Sequence, residues 1–139
     1  TRDLLWVDEQ GRQFIRTGDL GCLDDDGFLL LKGRKKDMVI SGGFNIYAAD
    51  LEQALCGHAA VQEAAVIAIP SETWGETPLG LVVLKPGCQV DPEEIRRDAN
   101  AKLGKLQRLS AVEIRPFLPR SSIGKVLKRT LAAPYWQDR

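Results

Sequence analysis

The sequence predicts an α+β fold, a small mixed sheet flanked by helices and preceded by β-hairpins. Three observations carry this. The first thirty-odd residues are short strand-forming segments paired around Asp-to-Gly turns. Two nearly unbroken apolar runs, 64–69 and 79–84, lie side by side in sequence, as suits strands covered on both faces. Finally, Asp91-Pro92-Glu93-Glu94 has every mark of a helix start: a capping aspartate, proline at the first helical position and acids in the positive first turn.

In chain order, Leu4 to Val7 and Gln13 to Arg16 flank Asp8-Glu9-Gln10-Gly11, and Leu20 to Leu23 and Phe28 to Lys32 flank Asp24-Asp25-Asp26-Gly27. Both read as hairpins. Gly33-Arg34-Lys35-Lys36-Asp37 is a polar linker, Met38-Val39-Ile40 a short strand, and Ser41-Gly42-Gly43 a break after it. Asp50 to Cys56 places Leu51, Ala54 and Leu55 at helical spacing, with Gly57 as the stop. The two apolar runs follow. Ile95, Ala99 and Leu103 recur every four residues in the next helix, which Gly104 ends. Val112 and Ile114 share one face of a strand that Pro116 confines to a sheet edge. A last helix is predicted over about 125–133.

A chain of 139 residues with 44% hydrophobic side chains can bury a core without metals or disulfides. Nineteen basic and nineteen acidic residues cancel, so no global field draws it to nucleic acid or to an anionic membrane. Any phosphate binding must be local. The three cysteines, Cys22, Cys56 and Cys88, are odd in number and lack histidines at ligand spacing, which argues for free thiols in a reducing cytoplasm and against a zinc site. No apolar run is long enough to span a membrane. The opening at Thr1 reads as mid-protein sequence, and the chain is taken as a fragment.

Four stretches contain side chains suited to phosphate and ribose chemistry, each with an ordinary structural role to set beside it. In Arg16-Thr17-Gly18-Asp19-Leu20 the carboxylate of Asp19 could accept hydrogen bonds from vicinal hydroxyls, or be a solvated turn residue. Arg34 in the cationic linker could fork onto ribose or phosphate, or simply be charged surface. Ser41-Gly42-Gly43 could let a ligand pass close to bare backbone, or be only a turn. In Pro119-Arg120-Ser121-Ser122-Ile123-Gly124-Lys125, a flexible loop presents a lysine able to neutralise developing oxygen charge. The spaced glycine and the following Ser or Thr of a P-loop are absent there. Trp74-Gly75-Glu76 offers an indole as a platform or as a packing residue, and His58 has no partners for catalysis.

In this order and spacing, over about residues 14–136, the four stretches together with 58–70 and Trp74-Gly75-Glu76 resemble the end of the adenylate-forming superfamily of acyl- and aryl-CoA synthetases, peptide-synthetase adenylation domains and beetle luciferases. The resemblance implies a small C-terminal lid hinged to a large N-terminal body that binds ATP and a carboxylic acid. The lid turns between two half-reactions, acyl-adenylate formation with release of pyrophosphate and displacement of AMP by a thiol. It further implies an AMP-forming acid–thiol ligase using ATP, coenzyme A and Mg2+, with the Mg2+ site outside this chain.

By that resemblance Lys125 is the adenylation lysine, Asp19 and Arg34 bind nucleotide, and Lys36 is the hinge. Gly42 and Gly43 line the path of the pantetheine arm, and Trp74 touches it. Residues 1–34 are then the tail of the N-terminal body and 35–139 the lid, which is expected to be inactive alone. Ala48 and Ala59 stand where the family often has proline, both in structural turns. The wording from Ser41 to Tyr47 favours a CoA ligase over an adenylation domain serving a carrier protein. A stand-alone nucleotide- or CoA-binding module without catalysis is the non-enzymatic alternative.

Overall fold

The computed structural model describes residues 4–137. The chain divides into two compact units, Thr1–Lys36 and Asp37–Arg139.

The first unit is two separate antiparallel hairpins, β1 (Leu5–Val7) with β2 (Gln13–Ile15), and β3 (Asp19–Leu23) with β4 (Leu29–Arg34). Both turns are closed by the same device. The Asp8 carboxylate accepts from the amides of Gln10 and Arg12, and Asp24 does so from Asp26 and Phe28. In each, the glycine three residues on takes positive φ, 79° at Gly11 and 85° at Gly27, and donates its amide to the aspartate carbonyl. No described residue of this unit is buried, and most apolar side chains of its strands, Trp6, Phe14, Leu29 and Leu31 among them, are exposed.

The second unit is built on a long hairpin, β7 (Val61–Ser71) and β8 (Gly75–Leu84). A shorter hairpin, β5 (Met38–Ser41) and β6 (Phe44–Tyr47), joins β8 through the pair Ser41 and Gly75. The edge strand β9 (Ala111–Ile114) adds in parallel to β8, which makes the sheet mixed. The helices are α1 (Ala48–Cys56), α2 (Pro92–Lys102) and α3 (Lys128–Ala132), the last continued by a 3-10 turn over Ala133–Trp136.

The apolar runs of β7 and β8 are explained by cover on both faces. Val66 and Val82 pack with Leu51 and Leu55 of α1 and Ile95 and Ala99 of α2. Ala65, Ile67, Leu79 and Leu81 face the other way, toward Leu118, Val126 and Leu131. Although covered on both faces, β7 is an edge strand rather than a central one. Its open edge is blunted by side chains: the amide of Val66 donates to Glu52, and the indole of Trp136 donates to the carbonyl of Ala68.

The helix start at Asp91 is as predicted, its carboxylate accepting from the amide of Glu93 at 2.9 Å. Other boundaries move. Helix α1 starts two residues earlier than its apolar spacing predicts, and Phe44–Tyr47 forms a further strand, β6, after the break at Ser41-Gly42-Gly43. Gly57 does end α1, but with φ −72° rather than in the left-handed region, so no glycine-specific cap operates there. Helix α3 starts at Lys128, not near 125, because Val126 bridges back to Arg120 instead of entering a helix.

At the sheet's first face, the buried Asn100 of α2 fixes the loop leading into β9. Its amide group donates to the carbonyl of Leu109 at 3.1 Å, and its oxygen accepts from the amide of Leu109 at 2.9 Å. Replacing it by leucine removes both bonds, leaving the Leu109 amide without its partner and the carbonyl with only the longer contact from Arg96 at 3.4 Å, which should cost about 1–3 kcal/mol. With urea slopes of about 1–3 kcal/mol/M, Asn100→Leu should lower the unfolding midpoint by on the order of 1 M. Urea titration followed by far-ultraviolet circular dichroism is the measurement.

Candidate functional site

The predicted site residues fall into three groups. In the first unit Asp19 and Arg34 are cross-strand partners of β3 and β4, and their side chains meet at 3.2 Å. The sequence, which places them fifteen residues apart, could not show that they adjoin. The pair is worth little to stability because the side chains remain 35% and 44% exposed, and for the same reason both are free to meet a ligand. A carboxylate beside a guanidinium offers an acceptor for hydroxyls and a fork for phosphate on one surface.

Lys36 closes the first unit, exposed in a 3-10 turn over Lys35–Asp37. The residue before it is tied down, the amide of Lys35 donating to the carbonyl of Gly18 at 2.9 Å. The residue after it faces the second unit's own charges. Lys128 reaches Asp37 at 3.9 Å and Glu52 of α1 at 2.6 Å. Lys36 lies between those two anchored residues with its side chain exposed.

The third group lies within the second unit, on two different loops. The β5–β6 turn contains Gly42 and Gly43, both at positive φ, 56° and 83°. Gly42 donates its amide to the carbonyl of Trp74 at 2.9 Å, and a Cβ on Gly42 would stand 2.6 Å from Cε3 of the indole. Only a bare α-carbon lets Trp74 lie there. A Cβ on Gly43 would meet nothing within 4 Å, so Gly43 presents open backbone to solvent. The structure therefore joins Trp74 to the glycine loop, two features more than thirty residues apart in sequence. The indole is 58% exposed and forms a wall beside the glycines. Ser71 steadies the β7–β8 turn by accepting from the amide of Trp74 at 3.2 Å.

Lys125 is exposed at the tip of the loop before α3. That loop, expected to be flexible, is braced. The amide of Lys125 donates to Ser121 Oγ at 3.2 Å, its carbonyl accepts from the amide of Ser121 at 2.8 Å, and Gly124 donates to the carbonyl of Ser121. Arg120 forks from Gly124 O, at 2.8 Å, to the carboxylate of Glu63 on β7. Leu118 and Val126, which flank the loop, are packed into the core on the second face of the sheet. A lysine held by its backbone but free along its side chain is a positionable point charge. Among the described residues no hydrogen bond or ion pair links Lys125 to the glycine loop.

Two further polar features have structural roles. His58 Nδ1 accepts from the amide of Ala60 at 3.2 Å, which bridges the turn after α1. Tyr135 joins Arg115 and Glu113 in a triangle of 2.7–2.8 Å contacts that docks the C-terminal turn on β9. Partial burial, then the hydrogen bond to Glu113 and that carboxylate's charge, push the tyrosine pKa up, so the phenol stays a donor. Among the described residues no three His, Cys, Asp or Glu side chains gather as a metal site, and no helix is long and apolar enough to cross a membrane.

Residues 50–125 match the family model described as AMP-binding enzyme C-terminal domain. The chain is 43% identical over 118 residues to a long-chain-fatty-acid–CoA ligase of Bacillus subtilis, which covers 85% of this chain and 21% of that protein. It is 36% identical over 125 residues to a fatty acid–[acyl-carrier-protein] ligase of Streptomyces coeruleorubidus, 90% of this chain and 24% of that one. Among solved structures, ATP-bound MatB from Rhodopseudomonas palustris superposes with a TM-score of 0.85 at 33% identity, over 99% of this chain and 27% of that chain. The chain thus spans between a fifth and a quarter of the length of the curated relatives it matches. With the matched segment running from α1 through the strands of the core to Lys125, the chain belongs to the AMP-binding enzyme C-terminal domain family of adenylate-forming enzymes.

Proposed function

We propose that this chain is the C-terminal lid of an ATP-dependent acyl- or aryl-CoA synthetase, together with the last hairpins of the body that the lid serves. The observation that carries this is the division of the chain directly after Lys36. The nucleotide candidates Asp19 and Arg34 are on one side, and both catalytic loops are on a single compact unit on the other. The first unit supports its own part of the reading. Its hairpins bury no side chain, which suits strands whose apolar faces are covered by a larger body.

In the first half-reaction the carboxylate of the acid attacks the α-phosphate of ATP and pyrophosphate leaves. Lys125 donates to the oxygens on which negative charge gathers, while Asp19 accepts from the ribose hydroxyls and Arg34 approaches the nucleotide. A single residue between two anchored neighbours then serves as the pivot: rotation at Lys36 carries Lys125 away and brings the glycine loop to the adenylate. In the second half-reaction a thiol attacks the acyl carbon and AMP leaves. Gly42 and Gly43 give its pantetheine arm a path free of side chains, with the Trp74 indole as one wall. Because both loops belong to one compact unit and extend from different elements, one rotation would exchange them.

The carrier-protein alternative is favoured by one relative, the Streptomyces coeruleorubidus ligase, whose acceptor is an acyl-carrier protein. The lid chemistry is the same in both cases, since a pantetheine thiol is the nucleophile. Offering CoA and a carrier protein bearing a free phosphopantetheine thiol to the complete enzyme separates them.

Four outcomes are expected. This chain incubated alone with ATP and a panel of carboxylic acids should release pyrophosphate only at background, because the ATP and acid sites lie mainly in the body; robust turnover would overturn the lid reading. In the complete enzyme Lys125→Ala should slow adenylation by on the order of a hundredfold or more, the usual weight of a transition-state donor, while pre-formed acyl-adenylate is still consumed by the thiol. Lys36→Pro should do the reverse, since φ fixed near about −65° restricts the pivot. Both half-reactions measured for both variants decide the assignment. Finally, Gly43→Leu should depress thioester formation far more than adenylation, as its side chain would enter space that is otherwise open; equal losses would make the loop a folding element.

A further inference from the structure

The acid of Trp74-Gly75-Glu76 has no part in either half-reaction as described above, yet the structure aims it at the strand that leads into the glycine loop. The strand entering that loop, β5, is joined to the central strand β8 by one residue pair, Ser41 with Gly75. On either side of that pair a single hydrogen bond continues the connection. Gly42 donates to the carbonyl of Trp74 at 2.9 Å, and the amide of Ile40 donates to Oε2 of Glu76 at 3.0 Å. The second of these is a side chain standing where a backbone rung would be. The three successive residues Ile40, Ser41 and Gly42 are thus each held by one of the three successive residues Glu76, Gly75 and Trp74.

We propose that Glu76 is a positioning residue for thioester formation, its carboxylate fixing the strand from which the Gly42-Gly43 loop and its Trp74 wall are presented. The inference rests on the reading of that loop as the path of the pantetheine arm. Ionised acceptors hold backbone amides more strongly than neutral ones, and the bond acts two residues before Gly42, where a small shift becomes a displacement of the loop. A role in stability alone fits less well. Ile40 is 51% exposed, so water can replace the lost acceptor at little cost to folding. The displaced loop would still fold but would no longer meet the thiol arm in the productive geometry.

The test compares Glu76→Ala and Glu76→Gln in the complete enzyme, with Gly43→Leu alongside. Adenylation is read as ATP–pyrophosphate exchange and thioester formation as consumption of pre-formed acyl-adenylate by CoA. Glu76→Ala should lower the thioester step by on the order of tenfold to a hundredfold, chiefly through a raised KM for CoA, with exchange unchanged. Glu76→Gln retains an oxygen acceptor and should restore most of the loss. Hydrogen exchange gives an independent readout, with the Ile40 amide exchanging faster in Glu76→Ala than in Glu76→Gln. Equal losses in both half-reactions, failure of glutamine to rescue, global unfolding of Glu76→Ala, or unaltered thioester kinetics would each overturn the proposal. If Gly43→Leu itself leaves thioester formation intact, the pantetheine reading of the loop fails. If it blocks that step while Glu76→Ala does not, only the role of Glu76 fails.

Discussion

The second unit depends on the apolar character of both faces of the β7–β8 hairpin. A sheet that is apolar on one face needs one covering layer, whereas this hairpin needs two, and the rest of the unit supplies them. Helices α1 and α2 close one face with Leu51, Leu55, Ile95 and Ala99, and Leu118, Val126 and the α3 segment close the other. Burial of this kind contributes about 25 cal/mol per Å2 of apolar surface, so the most completely buried residues dominate the stability of the unit. The functional loops inherit their placement from it. The loop of Lys125 hangs between two residues committed to the second face, and the glycine loop extends from the hairpin that β8 captures at Gly75.

Such an arrangement reconciles two demands on the loops. On the proposed function they must offer groups to a substrate, which requires exposure, and offer them at fixed positions, which requires anchoring. Lys125 meets both through a backbone held by Ser121 and Arg120 and a side chain left in solvent. Gly42 and Gly43 do so through backbone alone, one under the Trp74 indole and the other open. The exposed apolar residues of the first unit are different in kind. With none of them buried, they make a pair of hairpins that has no core of its own.

Charged groups in the second unit act mainly as local fasteners. Lys128 gathers Asp37 and Glu52, which ties the start of the unit to α1 and α3. Glu52 also takes the amide of Val66, so one carboxylate both pairs with a lysine and protects a strand edge. Partly exposed pairs of this sort contribute little each to stability. Their effect is to fasten Asp37, at the start of the unit, to the helices that follow it.

Local rules in the sequence determined much of this. The hairpin turns follow from aspartate side chains that bond their own backbone and from glycines that accept positive φ; the start of α2 follows from Asp91 and Pro92; the buried pair of strands follows from uninterrupted apolar runs. The order of the motifs pointed to the family, and Lys125, Gly42, Gly43, Asp19 and Arg34 were nominated from the same motifs. What tertiary structure decided were the meetings across distance and the places where packing overrode local preference. The short segment Phe44–Tyr47 has too few residues to declare itself a strand, and forms one because β5 offers it a ladder. Lys125 fell outside a helix because Val126 pairs with Arg120. The contacts of Asp19 with Arg34, Trp74 with Gly42 and Glu76 with Ile40 come from strand register and chain reversal, which no local pattern encodes, since register depends on which strands the core brings together.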